Sequence, residues 1–188
     1  MTKALFIEPP MTEAEAAGRV TPAELAAAQE FLRESRRREF LTWRAVVRRE
    51  LGDGVQLAYD DVGAPVVVGA EVRIGVSHCA GRVAVCISDA PCAVDIESES
   101  RNFSRAVPRY MSPEEQALSD APLLPAVVWC AKETLYKYAG RPGLDLLRDL
   151  HIDAVDFGAG TIVGRIRDGE PVGLSLLRDA GFIAVYIL

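Results

Sequence analysis

No stretch of the 188 residues approaches the roughly 18 consecutive apolar residues that a membrane helix needs. The first apolar run, Ala4 to Ile7, is stopped by Glu8 and is too short for the apolar region of a secretory signal, so a cytoplasmic protein with no membrane partner is expected. There is no basic excess either. The net charge of −6 argues against a general nucleic-acid binder, although it leaves room for a local basic patch. The four cysteines, Cys79, Cys86, Cys92 and Cys130, lack the paired short spacing of a zinc site, and reduced core thiols are expected. Histidine is scarce. His151 stands in a region without a motif and reads as structural, which leaves His78. What is present in quantity is apolar surface, 49% of residues against 26% charged, the balance of a folded domain.

The order of patterns is helices, strands, helices, strands. Thr21-Pro22-Ala23-Glu24 is a helix start, with a capping threonine, proline at the first helical position and a glutamate three after the cap. Helix is expected from there to about Arg33, and a second segment runs to Leu51, ended by Gly52-Asp53-Gly54. Short β-type runs follow from Val55 to Glu97, broken by glycine, proline and aspartate. Ser112-Pro113-Glu114-Glu115 repeats the cap pattern, and a longer helix is expected from about Leu124 to Ala139. Four strands close the chain. The expected fold is α+β, with two pseudo-symmetric lobes, 1–92 and 93–188, each a small antiparallel sheet with packed helices. A cleft formed within one chain favours a monomer.

Two short stretches carry the chemistry. In Ala93-Val94-Asp95-Ile96-Glu97, the acids are two apart, so on a strand both face one side while Val94 and Ile96 face a core. Like charges so placed are costly unless a cation sits between them, and Mg²⁺ suits carboxylate oxygens and phosphate. The alternative is two ordinary acids at a strand end. In the second stretch, Trp129, Glu133, Lys137 and Gly140 share one helical stripe, flanked by Lys132 and Tyr136. The alternative there is a solvated Glu–Lys pair worth a few tenths of a kcal/mol.

Taken together these residues resemble the 4′-phosphopantetheinyl transferases of the surfactin-synthetase-activating type. That family carries a (I/V)-(G/A)-(V/I)-D-(I/V)-E strand followed by W-x-x-K-E-(A/S/T)-x-x-K. Here these are residues 93–97 and then Trp129, Lys132, Glu133, Thr134 and Lys137. Ser77-His78-Cys79 corresponds to the family's Ser-His-(S/D) element. Arg36, Glu39, Phe40, Leu41 and Arg44 match an R-x-x-E-F-L-x-x-R element, and Tyr110 to Glu115 resembles F-(F/S)-x-x-E. The resemblance spans residues 36 to 140. Ala64 stands where the family usually has lysine in Gly-Lys-Pro, and Cys79 replaces the usual Ser or Asp.

The resemblance implies transfer of the 4′-phosphopantetheine arm of coenzyme A to a serine of an acyl or peptidyl carrier protein, with release of 3′,5′-ADP. It implies Mg²⁺ (or Mn²⁺) on Asp95, Glu97 and Glu133. Glu133 is expected to take the serine proton. Lys137 and Lys132 are expected to contact phosphate, His78 with Ser77 to contact coenzyme A, and Arg36 and Arg44 to clamp phosphate with their guanidinium forks. Glu115 is expected either to orient a metal water or to cap the helix after Ser112. Carrier proteins are usually acidic, so Arg101, Arg105 and Arg109, alternating with Phe103, Val107 and Met111, are expected to form a docking edge. A metal-dependent hydrolase of coenzyme A and a non-catalytic relative that binds coenzyme A or the carrier are the alternatives.

Overall fold

The computed structural model describes residues 3–79 and 81–188. The chain opens with strand β1 (Lys3–Glu8), then helices α1 (Glu13–Ala16), α2 (Pro22–Gln29) and α3 (Glu34–Leu51). Strands β2 (Leu57–Tyr59), β3 (Pro65–Val67), β4 (Arg73–Cys79), β5 (Arg82–Ser88) and β6 (Ala93–Ser98) follow. A 3₁₀ turn at Val107–Arg109 leads to α4 (Pro113–Gln116) and the long α5 (Leu124–Ala139). The chain finishes with β7 (Leu150–Asp156), β8 (Thr161–Ile166), β9 (Val172–Asp179) and β10 (Phe182–Ile187).

The fold is mixed α+β with antiparallel sheets. A three-stranded sheet has the order β1-β5-β4, and a five-stranded sheet has the order β6-β10-β9-β8-β7. Among the described residues, the strands β2 and β3 pair only with each other, as a separate hairpin. The two main sheets are therefore unequal. Each nonetheless carries one long helix: α3 lies on β5, and α5 lies across β6, β10, β7 and β8. No described helix is long and apolar enough to cross a membrane.

Local chemistry accounts for the helix boundaries. Thr21 and Ser112 cap α2 and α4, with Glu24 and Glu115 returning the bond to the cap backbone, and Thr12 with Glu15 forms a third such box. The helical segment after Thr21 breaks at Gln29, four residues before its expected end, and α3 begins at Glu34. Gly52 ends α3 with φ 104°, and Gly140 ends α5 in the left-handed region at φ 58°.

Four clusters of buried apolar side chains hold the molecule. One, around Val127, Leu135 and Ile162, lies between α5 and the five-stranded sheet. A second, around Trp43, Val47 and Val85, lies between α3 and the three-stranded sheet. A third joins α1 and α2 to α3 through Ala28 and Leu41. The fourth joins the sheets to each other through Ala84, Cys86, Val94, Ile96 and Ala184. At that seam β4 runs against β6. A Cβ on Gly75 would come within 2.7 Å of Cys86 Sγ and 3.1 Å of Ala93 Cα, so only glycine permits the approach without a shift. Two residues further along the same face of β4, the approach delivers Ser77 to Asp95. All four cysteines are free thiols.

Candidate active site

The strand β6 behaves as its alternation requires. Val94 and Ile96 are buried in the inter-sheet cluster, and Asp95 and Glu97 face the other way, toward α5. Asp95 is only 7% exposed. Its Oδ1 accepts hydrogen bonds from Ser77 Oγ at 2.8 Å and Lys137 Nζ at 2.8 Å. Its Oδ2 is buried and has no partner among the described residues. Ser77 Oγ also accepts from the Ile96 N–H at 3.3 Å, so this hydroxyl fixes the strand and the carboxylate together. Lys137 spends a second N–H on Val94 O at 3.0 Å.

Glu133, one helical turn before Lys137, faces the same region. Burial pushes its carboxyl above the usual range, the Asp95 charge pushes it further, and Lys137 and Arg101 pull it back. Among the described residues its carboxylate makes no hydrogen bond or ion pair of its own. Glu97 is likewise raised by burial, against the pull of Arg101 and with a further push from Asp95. Its carboxylate is paired with Arg101, and that guanidinium lies over the rings of Phe103, at 4.7 Å, and Trp129, at 5.1 Å. Beneath them Cys130 is buried, and burial first, then Asp95 and Glu97, hold it as a neutral thiol.

Among the described residues, no three of His, Cys, Asp and Glu stand as a closed set of metal ligands. The donor chemistry still fits a hard divalent ion. A buried carboxylate oxygen without a partner is costly unless a cation or donor meets it, and Asp95 Oδ2 is such an atom. Glu133 offers a second unpaired carboxylate beside it, and Glu97 a third once it exchanges Arg101 for the ion.

Two adjoining hollows run from this cluster along the seam. One, about 260 Å³, is bordered by Gly63, Ala64, Cys92, Tyr136, Lys137 and Arg141. The other, about 210 Å³, is bordered by Arg36, Glu39, Phe40, Tyr59 and His78. They share the walls formed by Gly63, Pro65 and Val76, and so make one cleft. At its far end Arg36 donates to Glu39 at 2.8 Å and contacts the His78 ring, and His78 Nδ1 lies 3.3 Å from Glu39. Burial lowers the His78 pKa, Glu39 opposes this and Arg36 reinforces it. A larger hollow of about 320 Å³ opens beside Ile96 and Phe182, on the face of β6 turned away from the acids.

The structure thus brings together Asp95, Glu97, Glu133, Lys137 and Ser77, and places Arg36 and His78 on the same cleft. It corrects two other expectations, at Lys132 and Arg44, and shows the capping role among the two expected of Glu115. Lys132 is fully buried, and its three donors are taken by Tyr110 O at 2.6 Å, Leu146 O at 2.9 Å and the Glu115 carboxylate at 2.7 Å. It is a core staple with no N–H left for a phosphate. Glu115 is its partner: it caps α4, accepts from the Ile152 N–H at 2.8 Å and pairs with Lys132, so it orients nothing at the acids. Arg44 is 5% exposed, stacked on Phe40 and bonded to Phe40 O and Tyr59, with Glu24 at 3.4 Å. Its guanidinium faces inward. The expected docking edge also changes. Phe103 and Met111 are core residues, Arg101 holds Glu97, and Arg105 and Arg109 are left exposed.

The sequence reading missed Ser77 as the support of Asp95, Arg101 as the partner of Glu97, and Arg141 as a wall of the cleft. Arg101 had one signal, its position four residues after Glu97. Comparison with curated proteins gives no match. Residues 91–177, which run from β6 into β9 and carry Asp95, Glu97, Glu133 and Lys137, match the family model ACPS, 4′-phosphopantetheinyl transferase superfamily.

Proposed function

We propose that the protein transfers the 4′-phosphopantetheine arm of coenzyme A to a serine of an acyl or peptidyl carrier protein, in the manner of the surfactin-synthetase-activating type, and releases 3′,5′-ADP. One observation carries the reading: an unpartnered buried carboxylate oxygen on Asp95, beside the unpaired Glu133 and the cationic Lys137, at the edge of a cleft whose other end holds the Arg36 guanidinium beside His78. Residues 1–92 would supply the Arg36–His78 end and residues 93–188 the acids and α5. The protein would act as a cytoplasmic monomer.

Asp95, Glu133 and Glu97 would hold Mg²⁺, which when bound neutralises charge developing on the diphosphate oxygens. Mn²⁺ suits the same donors. The protein's own groups do the rest. The carrier's serine oxygen forms a bond to the phosphorus bearing pantetheine, and the bond from that phosphorus to the bridging oxygen of the diphosphate breaks. Glu133 takes the serine proton. Lys137 has two N–H bonds committed to Val94 O and Asp95, and its third is free to donate to the departing oxygen. Ser77 keeps Asp95 in its rotamer. Arg36 and His78 bind phosphate at the other end of the cleft.

Intact mass of purified apo carriers after incubation with the protein, coenzyme A and Mg²⁺ tests this. A carrier gaining one phosphopantetheine arm, lost with Glu133→Gln, is the expected result. Free phosphopantetheine released without a carrier would mean hydrolysis, and no change in any carrier or in coenzyme A would end the reading.

A further inference from the structure

The C-terminal end of α5 is an unfavourable place for a phosphate, because the last carbonyls of a helix point outward and carry partial negative charge. The 260 Å³ hollow nevertheless ends there, against Gly140, Arg141 and Pro142. Lys137 and Arg141 carry the only charges among its lining residues, so no carboxylate lines this part of the cleft. Lys137 is already answered by Asp95. Arg141 is exposed and has no ion pair or hydrogen bond among the described residues. Its backbone is tightly fixed. Gly140 turns in the left-handed region and bonds back to Lys137 O at 3.1 Å, Pro142 locks its own φ, and Gly143 turns again at φ 84°. The guanidinium is therefore hung from a rigid corner over a part of the cleft that has no acid to bind it.

We propose that Arg141 is a phosphate ligand of this cleft, reversing the sign of the field at the end of α5 and gripping a phosphate group of the nucleotide half of the substrate. The assignment rests on the coenzyme A reading above. A planar fork of N–H donors matches two phosphate oxygens at once, which a single ammonium cannot do. Ala64 lines the same hollow from the β2–β3 hairpin and contributes no charge, so Arg141 supplies the cation from the side of α5.

The test is the dissociation constant of coenzyme A on the full chain, by calorimetry, for wild type, Arg141→Ala, Arg141→Lys and the double variant Ala64→Lys/Arg141→Ala. Arg141→Ala is expected to weaken binding by about tenfold or more, Arg141→Lys by less, and lysine at 64 to restore part of the loss. In turnover the loss should fall mainly on KM for coenzyme A and less on kcat, since the residue grips substrate without touching the reacting oxygen. 3′-Dephospho-coenzyme A separates the two phosphate sources. If Arg141→Ala does not weaken its binding, Arg141 holds the 3′-phosphate; an equal loss assigns the diphosphate. Wild-type affinity in Arg141→Ala would overturn the assignment alone. Failure of the wild type to bind coenzyme A would overturn both this and the transferase reading.

Discussion

Lys132 and Lys137 lie on the same helix and in the same sequence motif, and their surroundings are opposite. Lys132 has every donor answered by Tyr110, Leu146 and Glu115, in a pocket closed to solvent. Lys137 stands at the cleft with Asp95, an oxygen of which has no partner, and with Glu133, which has none at all among the described residues. A closed charge cluster contributes to folding and is strongly destabilising when one member is removed. An open cluster is tolerated because something else completes it. The difference separates a structural staple from the cluster proposed to act on substrate.

Removing the closed cluster's cation gives the largest expected effect. Lys132→Met should cost about 3–5 kcal/mol in chemical denaturation, because Glu115 is left charged and buried. Lys137→Met should cost less, about 1–3 kcal/mol, because the lysine side chain is 32% exposed although Asp95 is left buried without its cation. Equal losses at the two sites would erase the distinction.

Glu133→Gln comes next. It should lower carrier modification by about a hundredfold or more while leaving the unfolding midpoint unchanged or higher, because it removes a charge held in an unfavourable place. A parallel loss of stability would show that Glu133 belongs to the staple.

The N-terminal lobe supplies a second closed cluster and a pH test. Glu24 receives two hydrogen bonds from Arg48, at 2.7 and 2.9 Å, and lies 3.4 Å from Arg44. Burial pushes its carboxyl up, but the Arg48 bonds, the Thr21 backbone N–H and the two arginine charges outweigh this and hold it below the ordinary 4.5. The unfolded chain therefore takes up this proton first. The stabilisation is full above about pH 4.5 and is lost as pH falls through the lower folded value. Glu24→Gln should cost about 2 kcal/mol near neutrality. The gap from wild type should shrink steadily in acid, measured by urea unfolding across pH 3 to 7. A gap independent of pH would mean that packing, not charge, holds Arg48.

The smallest effect is at Ser77. Ser77→Ala removes one donor to Asp95 and one acceptor for the Ile96 N–H, and should cost about 1 kcal/mol of stability. Activity should fall by more than that loss of folded population accounts for, because Asp95 loses its fixed rotamer. Valine or threonine at 77 distinguishes shape from hydroxyl in the same assay.

Much of the candidate site's geometry was legible before the fold was. A period of two put Asp95 and Glu97 on one strand face, and a period near four put Glu133 and Lys137 on one helix face. The capping residues at Thr21 and Ser112 marked real helix starts. What periodicity cannot give is the neighbour. α5 is buried on more than one face, so Lys132 looked like an outward cation until the position of Tyr110 and Leu146 was known. Arg44 misled for the same reason, lying on the inward side of α3 under Phe40. Phe103 and Met111 alternate with arginines in a way that reads as surface, yet the 3₁₀ turn folds them into the core. The cleft has walls from the short β2–β3 hairpin and from the corner after α5, far apart in sequence, so Arg141 carried no signal at all.

The central convergence is that of β6 and α5, which bring Asp95 and Glu133 together. Crystals grown with Mn²⁺ and coenzyme A, measured for anomalous scattering, address it directly. The expected result is a single strong peak bonded to Asp95 Oδ2 and to Glu133, with Glu97 released from Arg101 toward it. A peak bonded to neither carboxylate, or Glu133 turned to bulk solvent beside an ordered coenzyme A, would contradict it.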